Sequence, residues 1–162
     1  MEIELRRTTA NDLPYVLAAE GDEENSRFIA VWPEEKHRAA LDDPNIAHLI
    51  IASKPHGQPV GFVILAALQG EHRSIEFMRI VVTEKGKGYG RTAVRAIKRY
   101  AFDTLAAHRL WLDVKEHNTR ARAVYEKEGF RYEGTLRECR KGPEGFESLV
   151  VMSVLEQEYC DA

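Results

Sequence analysis

The segment Lys85-Gly86-Lys87-Gly88-Tyr89-Gly90 constrains this chain more than any other, because it joins two different periodicities. Before it, Ile75–Val82 reads as a strand; after it, Val94, Ile97, Ala101 and Leu105 fall on one stripe at about 3.6 residues per turn. Backbone N–H groups in such a turn have no partner and stand at the positive end of the helix that follows. Glycines at alternate positions let a large anion approach without Cβ obstruction. Lys85, Lys87 and Arg91 add mobile positive charge, and the combination fits a pyrophosphate. It is not a P-loop, since no Gly-Lys-Ser/Thr follows at the required spacing. Nor is it the dinucleotide fingerprint: the third glycine would fall on Arg91, and the next strand, Leu110–Val114, carries only Asp113 as an acid. Read alone, the segment equally suits a flexible basic strand-to-helix turn.

The chain has 162 residues, 44% hydrophobic and 30% charged, which suits one domain over 1–162 with a single core. Twenty-three Lys and Arg against 26 Asp and Glu give a net charge of -3, which argues against a nucleic-acid partner. Cys139 and Cys160 are not expected to make a disulfide framework or a four-ligand zinc site. The six histidines are scattered, so no metal site is expected, and His108 and His117 read as surface residues. Arg7, Trp32 and the cysteines receive structural readings. Without a basic-then-apolar leader at Met1–Ala10, a cytoplasmic protein is expected. The longest apolar stretch, Val60–Leu68, is too short to span a bilayer.

Thr9 and Asp12 have capping-box spacing before a helix through Leu13, Val16, Leu17 and Ala18. Glu20–Asn25 reads as an acidic loop broken at Gly21, and Trp32-Pro33-Glu34-Glu35 as a helix start. Ala47–Ser53, Val60–Leu68 and Ile75–Val82 read as strands. Leu110–Val114 is another, followed by a short helix with Asn118 as N-cap and Gly129 past its end. Phe130–Leu136 and Phe146–Leu155 form a closing hairpin. The order is that of an α/β (α+β) domain, a mixed sheet with helices packed on it.

Together these features resemble the GNAT superfamily of N-acetyltransferases over nearly the whole chain. The family's cofactor motif, Arg/Gln-x-x-Gly-x-Gly/Ala, is matched at Lys85-Gly86-Lys87-Gly88-Tyr89-Gly90. Its later strand-then-helix pattern is matched by Leu112-Asp113-Val114, Asn118, Ala121, Tyr125, Gly129 and Phe130. Two departures stand out. Lys85 replaces Arg or Gln, keeping the charge but losing planar bidentate contact. Thr83-Glu84 is also about two residues shorter than the common form. The resemblance implies a central, antiparallel-rich sheet of about seven strands flanked by about four helices. It also implies acetyl-CoA as cosubstrate and a primary amine as acceptor: a polyamine, a peptide N-terminus or another small amine. A homodimer would be in keeping with relatives.

By resemblance, Ile80, Val81 and Val82 offer backbone groups to the pantetheine arm, with the N–H of Val82 or Ile80 polarising the thioester carbonyl. Asn118 hydrogen-bonds the arm from the other side, or is simply a helix cap. Tyr125 assists the departing thiolate. A phenol of pKa about 10 transferring its proton completely to a thiolate of about 8.5 is uphill by roughly 2 kcal/mol, which favours hydrogen bonding over full transfer. Glu76 and Asp113 are both candidates for the base that deprotonates the ammonium. Alternation places Glu76 with Met78 and Ile80 on one face of the strand and Arg79 on the other. Glu20, Asp22, Glu23, Glu24, Glu34 and Glu35 lie where the family builds its acceptor site, and the layout is similar to the spermidine and ribosomal-protein N-terminal acetyltransferase branches. The competing reading is a non-catalytic acyl-CoA-binding regulator, which would need the glycines but neither Tyr125 nor a base.

Overall fold

The strand-like segments assemble into one sheet: β1 (Ile3–Arg7), β2 (Ile46–Ser53), β3 (Pro59–Ala66), β4 (Ser74–Val82), β5 (Arg109–Lys115), β6 (Arg131–Gly142) and β7 (Gly145–Leu155). Their spatial order is β1-β2-β3-β4-β5-β7-β6. The β4–β5 pair is parallel and the other neighbours are antiparallel. The computed structural model describes residues 2–26 and 28–161. The single-domain expectation over 1–162 also takes in Met1, Arg27 and Ala162, which lie outside the described residues.

Among the described residues six α-helices, where about four were expected, accompany the sheet: α1 (Leu13–Gly21), α2 (Glu23–Ser26), α3 (Glu34–Leu41), α4 (Tyr89–Arg99), α5 (Thr119–Lys127) and α6 (Glu156–Cys160). Thr9 and Asp12 close the expected cap, the Thr9 N–H donating to Asp12 Oδ2 at 2.8 Å. The expected loop Glu20–Asn25 is instead the end of α1 and most of α2. There Asp22 Oδ1 accepts the Glu24 N–H at 2.9 Å, and Glu23 and Glu24 occupy a first turn that favours acids. The sixth helix follows β7 directly, where the Leu155 N–H donates to Glu158 Oε1 at 2.9 Å.

Both faces of the sheet are covered, which explains why β2 and β3 read as continuous apolar runs. On one face, Val63, Leu65, Ile75, Phe77, Leu110 and Leu112 pack beneath α4 and α5. On the other, Ile50, Phe62, Ile64 and Val81 pack against Val16 of α1, Trp32 and Ala40 of α3. Among the described residues no helix is long and apolar enough to cross a membrane.

Candidate active site

A gap opens in the middle of the sheet. β4 and β5 pair only where Ser74–Glu76 meets Arg109–Trp111, although β4 runs on to Val82 and β5 to Lys115. Beyond Glu76 the β5-facing edge of β4 is unpaired, so its backbone groups are available to a ligand. Their identity follows from alternation. The Thr83 N–H donates to the Val60 carbonyl on β3 at 2.9 Å, so the Val81 N–H also faces β3, and those of Ile80 and Val82 face the gap. These are the two donors the sequence reading singled out.

One expectation about this strand is corrected. Leu65 pairs with Phe77 and Ile64 with Arg79, so Met78 is an extra residue, a β-bulge. The bulge reverses the alternation. Phe77 and Ile80 lie on the α4 face, while Met78, Arg79 and Val81 lie on the α1 face. Glu76, between Ile75 and Phe77, therefore shares the α1 face with Arg79, and Ile80 does not.

At the glycine turn, Gly86 and Gly88 have φ of 76° and 83°, values that L side chains rarely adopt, and Gly88 caps α4. A Cβ on Gly86, Gly88 or Gly90 would have no heavy atom within 4 Å, so the turn leaves open room above its backbone. The basic side chains around it, expected as mobile charge, each have a partner. Lys85 Nζ donates to Asn25 Oδ1 of α2 at 2.6 Å, and Lys87 Nζ to Glu84 at 3.2 Å. Arg91 and Arg95 both grip the buried Glu128 carboxylate just past α5, and the ring of Tyr89 packs on the core. Anion binding here rests first on the backbone and the helix end.

Across the gap, Asn118 caps α5, its Oδ1 accepting the Ala121 N–H at 3.3 Å. The Tyr125 ring is held edge-on by Phe77 and tilted against Phe130, at centroid distances of 5.9 and 5.6 Å. Its hydroxyl has no hydrogen-bond partner among the described residues, and burial pushes its pKa up to about 12. Glu76 is half-buried and takes neither a hydrogen bond nor an ion pair among the described residues. Burial, then the charge of Asp113, raises its pKa. Asp113 is also raised by burial, with Arg140 on β6 working against the shift. Glu76 thus feels the Asp113 charge across the open strands.

Glu20 departs furthest from its expected role. The sequence places it among acids that attract a cationic acceptor, yet it is 0% exposed. Its Oε1 accepts the Trp32 N–H at 2.8 Å and lies 2.9 Å from His37 Nε2, while Arg79 Nη1 donates to Oε2 at 2.5 Å. His37 Nδ1 lies 3.1 Å from His48 Nε2, and His48 Nδ1 is 2.8 Å from Thr8 Oγ1. Burial alone would raise the Glu20 carboxyl, but these hydrogen bonds and the Arg79 charge hold it below the ordinary value. A search for helical i, i+4 histidine pairs could not find this cluster. The available signal was the place of Glu20, four residues after Val16 and seven after Leu13 on the buried stripe of α1. No group of three His, Cys, Asp or Glu among the described residues is placed to hold a metal.

Burial, then the neighbouring charges, lowers His48 to about 4. An unfolded histidine takes up its proton near about 6.5, whereas the folded one resists to about 4. Stability is therefore full above about pH 6.5 and falls as pH drops toward 4, by about 3 kcal/mol in total. Urea midpoints measured from pH 7.5 to 4.5 should decline through this window, and His48→Gln should flatten the decline.

Residues 2–131 match the family model of the acetyltransferase (GNAT) domain. A spermidine N(1)-acetyltransferase of Escherichia coli K12 is 31% identical over 143 residues, spanning 83% of this chain and 75% of that protein. The crystal structure of a spermidine N-acetyltransferase from Vibrio cholerae in complex with CoA and spermine superposes with a TM-score of 0.89. It is 24% identical, with 98% of each chain covered. A dodecameric structure of the spermidine N-acetyltransferase of that organism superposes at 0.82, with 25% identity, over 97% of this chain and 95% of that one.

Proposed function

The chain belongs to the GNAT acetyltransferase family and is an acetyl-CoA-dependent N-acetyltransferase, and we propose that its acceptor is a primary amine at one end of a polyamine. The observation that carries the acceptor assignment is Glu76. A half-buried carboxylate without a cation among the described residues, beside a second carboxylate on the facing strand, is poised for an ammonium group. The exposed acids Asp22, Glu23, Glu24 and Glu35 extend the negative surface toward a second ammonium. The spermidine acetyltransferase relatives support the same class. A peptide N-terminus fits less well, since only its first amine would meet these charges.

Acetyl-CoA supplies the acetyl thioester and the thiolate leaving group. Gly86, Gly88 and Gly90 with the first turn of α4 hold its pyrophosphate, and Asn118 with the Ile80–Val82 edge aligns its arm. The Ile80 and Val82 N–H groups point into the gap, where they stabilise negative charge developing on the carbonyl oxygen. Glu76 takes the proton from the ammonium, directly or through water, with Asp113 helping to hold the amine. Tyr125 hydrogen-bonds the sulfur as it departs.

We read residues 1–162 as one catalytic domain; β6 and β7 extend the common sheet beyond the matched stretch. Assembly into a homo-oligomer is proposed on the dodecameric relative. A thiol-release screen over spermidine, spermine, amino acids and N-terminal peptides tests the acceptor. The highest kcat/KM should belong to a polyamine, and a peptide exceeding it tenfold would refute the assignment.

The raised Glu76 carboxyl also predicts a pH profile. Its base form accumulates only above that raised pKa, so wild-type kcat/KM rises with pH through it. Glu76→Gln should lose most activity near neutrality and recover partly at high pH, where free amine is abundant. If Asp113→Asn alone shows the alkaline recovery, the two roles exchange.

A further inference from the structure

One buried ion pair lies outside the machinery described above. Glu20, on the last turn of α1, and Arg79, on β4, are 0% and 7% exposed. The Arg79 guanidinium lies 5.1 Å from the Trp32 ring centroid, and its Nε has no hydrogen-bond partner among the described residues. Removing two charges from water is costly, and exchanging a buried ion pair for uncharged groups of similar volume is often neutral or stabilising. Stability therefore does not account for the pair.

Its place in β4 does. Arg79 is the first residue after Met78, the extra residue of the bulge. Side chains and backbone groups both alternate with a period of two, so losing the bulge, which slips the strand past Phe77 by one residue, reverses everything beyond it. In the observed phase the guanidinium meets Glu20, and the Ile80 and Val82 N–H groups face the gap. In the opposite phase Arg79 would be driven toward the apolar cluster of Phe77 and Leu112, and Val81 would face the gap instead. Only one phase leaves the buried cation paired.

We propose that Glu20 is a positioning residue: through Arg79 it locks the β4 bulge, and so fixes which backbone donors line the open edge of the strand. This rests on the reading of that edge as the acetyl-transfer site. Glu20 itself is held for the task by the Trp32 N–H and His37, which leave Oε2 for the guanidinium.

The test is Glu20→Gln/Arg79→Met, which removes both charges with little change in volume and keeps an amide oxygen for the Trp32 N–H and His37, alongside Glu20→Gln alone. Amide exchange on the ligand-free wild type should show slow Val81 and Thr83 and fast Ile80 and Val82. In the double variant this alternation should collapse and kcat should fall at least about 30-fold, while the thermal midpoint equals or exceeds that of the wild type. Glu20→Gln should show the same exchange change in weaker form. A double variant with wild-type exchange and wild-type kcat overturns the proposal. So does one that cannot fold, because the pair would then be a stability element. If the wild type itself protects Ile80 and Val82, the reading of the strand edge fails, and that outcome is separate from any effect of Glu20.

Discussion

Replacing Tyr125 with Phe should lower kcat by about 10²-fold or more and leave acetyl-CoA affinity within about twofold. The substitution removes one hydroxyl and keeps the ring that Phe77 and Phe130 hold. Burial raises the phenol to about 12, whereas a thiol titrates near about 8.5. Complete proton transfer to the thiolate is thus uphill by about 5 kcal/mol, more than for an ordinary tyrosine. The hydroxyl acts as a hydrogen-bond donor to developing charge rather than as a spent acid. It stays protonated well above pH 10, so wild-type kcat should show no alkaline loss near that pH. Single-turnover rates, with chemistry rather than product release limiting, provide the measurement. An unchanged rate in Tyr125→Phe removes the residue from the mechanism.

The second large effect concerns the glycine turn, where the structure identifies Gly90 as the cleaner probe. A side chain at Gly86 or Gly88 is strained by the positive φ whatever its surroundings, so loss of binding there mixes two causes. Gly90 has no such φ, and a Cβ on it meets nothing within 4 Å. Gly90→Val should therefore fold normally yet obstruct a pyrophosphate seated on the helix end. Losing one or two charge-assisted hydrogen bonds of about 1.5–3 kcal/mol weakens CoA binding by roughly 100-fold. Calorimetry on the folded variant reads this directly, and undiminished affinity would move the phosphate site elsewhere.

The elements that carry these predictions were legible in the sequence because each is local. The strand, the glycine turn and the α4 stripe are contiguous, and Asn118 caps the helix that immediately follows it. What stayed hidden depends on partners far along the chain. An extra residue at Met78 exists only relative to β3, so alternation within β4 could not place Arg79. Glu20 sits beside Asp22, Glu23 and Glu24 and resembles a solvated acid, but its partner Arg79 is 59 residues away. His37 and His48 belong to different elements and meet only when α3 packs on β2. Lys85 is met by Asn25, 60 residues earlier, which the charge pattern around the glycines does not announce.

The most direct measurement of the central claim is the product itself. Wild-type protein incubated with acetyl-CoA and spermidine should release CoA thiol and monoacetylated spermidine in equal amounts, with the acetyl group on a primary amine by mass spectrometry and NMR. Thiol release without acetylated spermidine, or acetylation confined to peptide N-termini, would contradict the account.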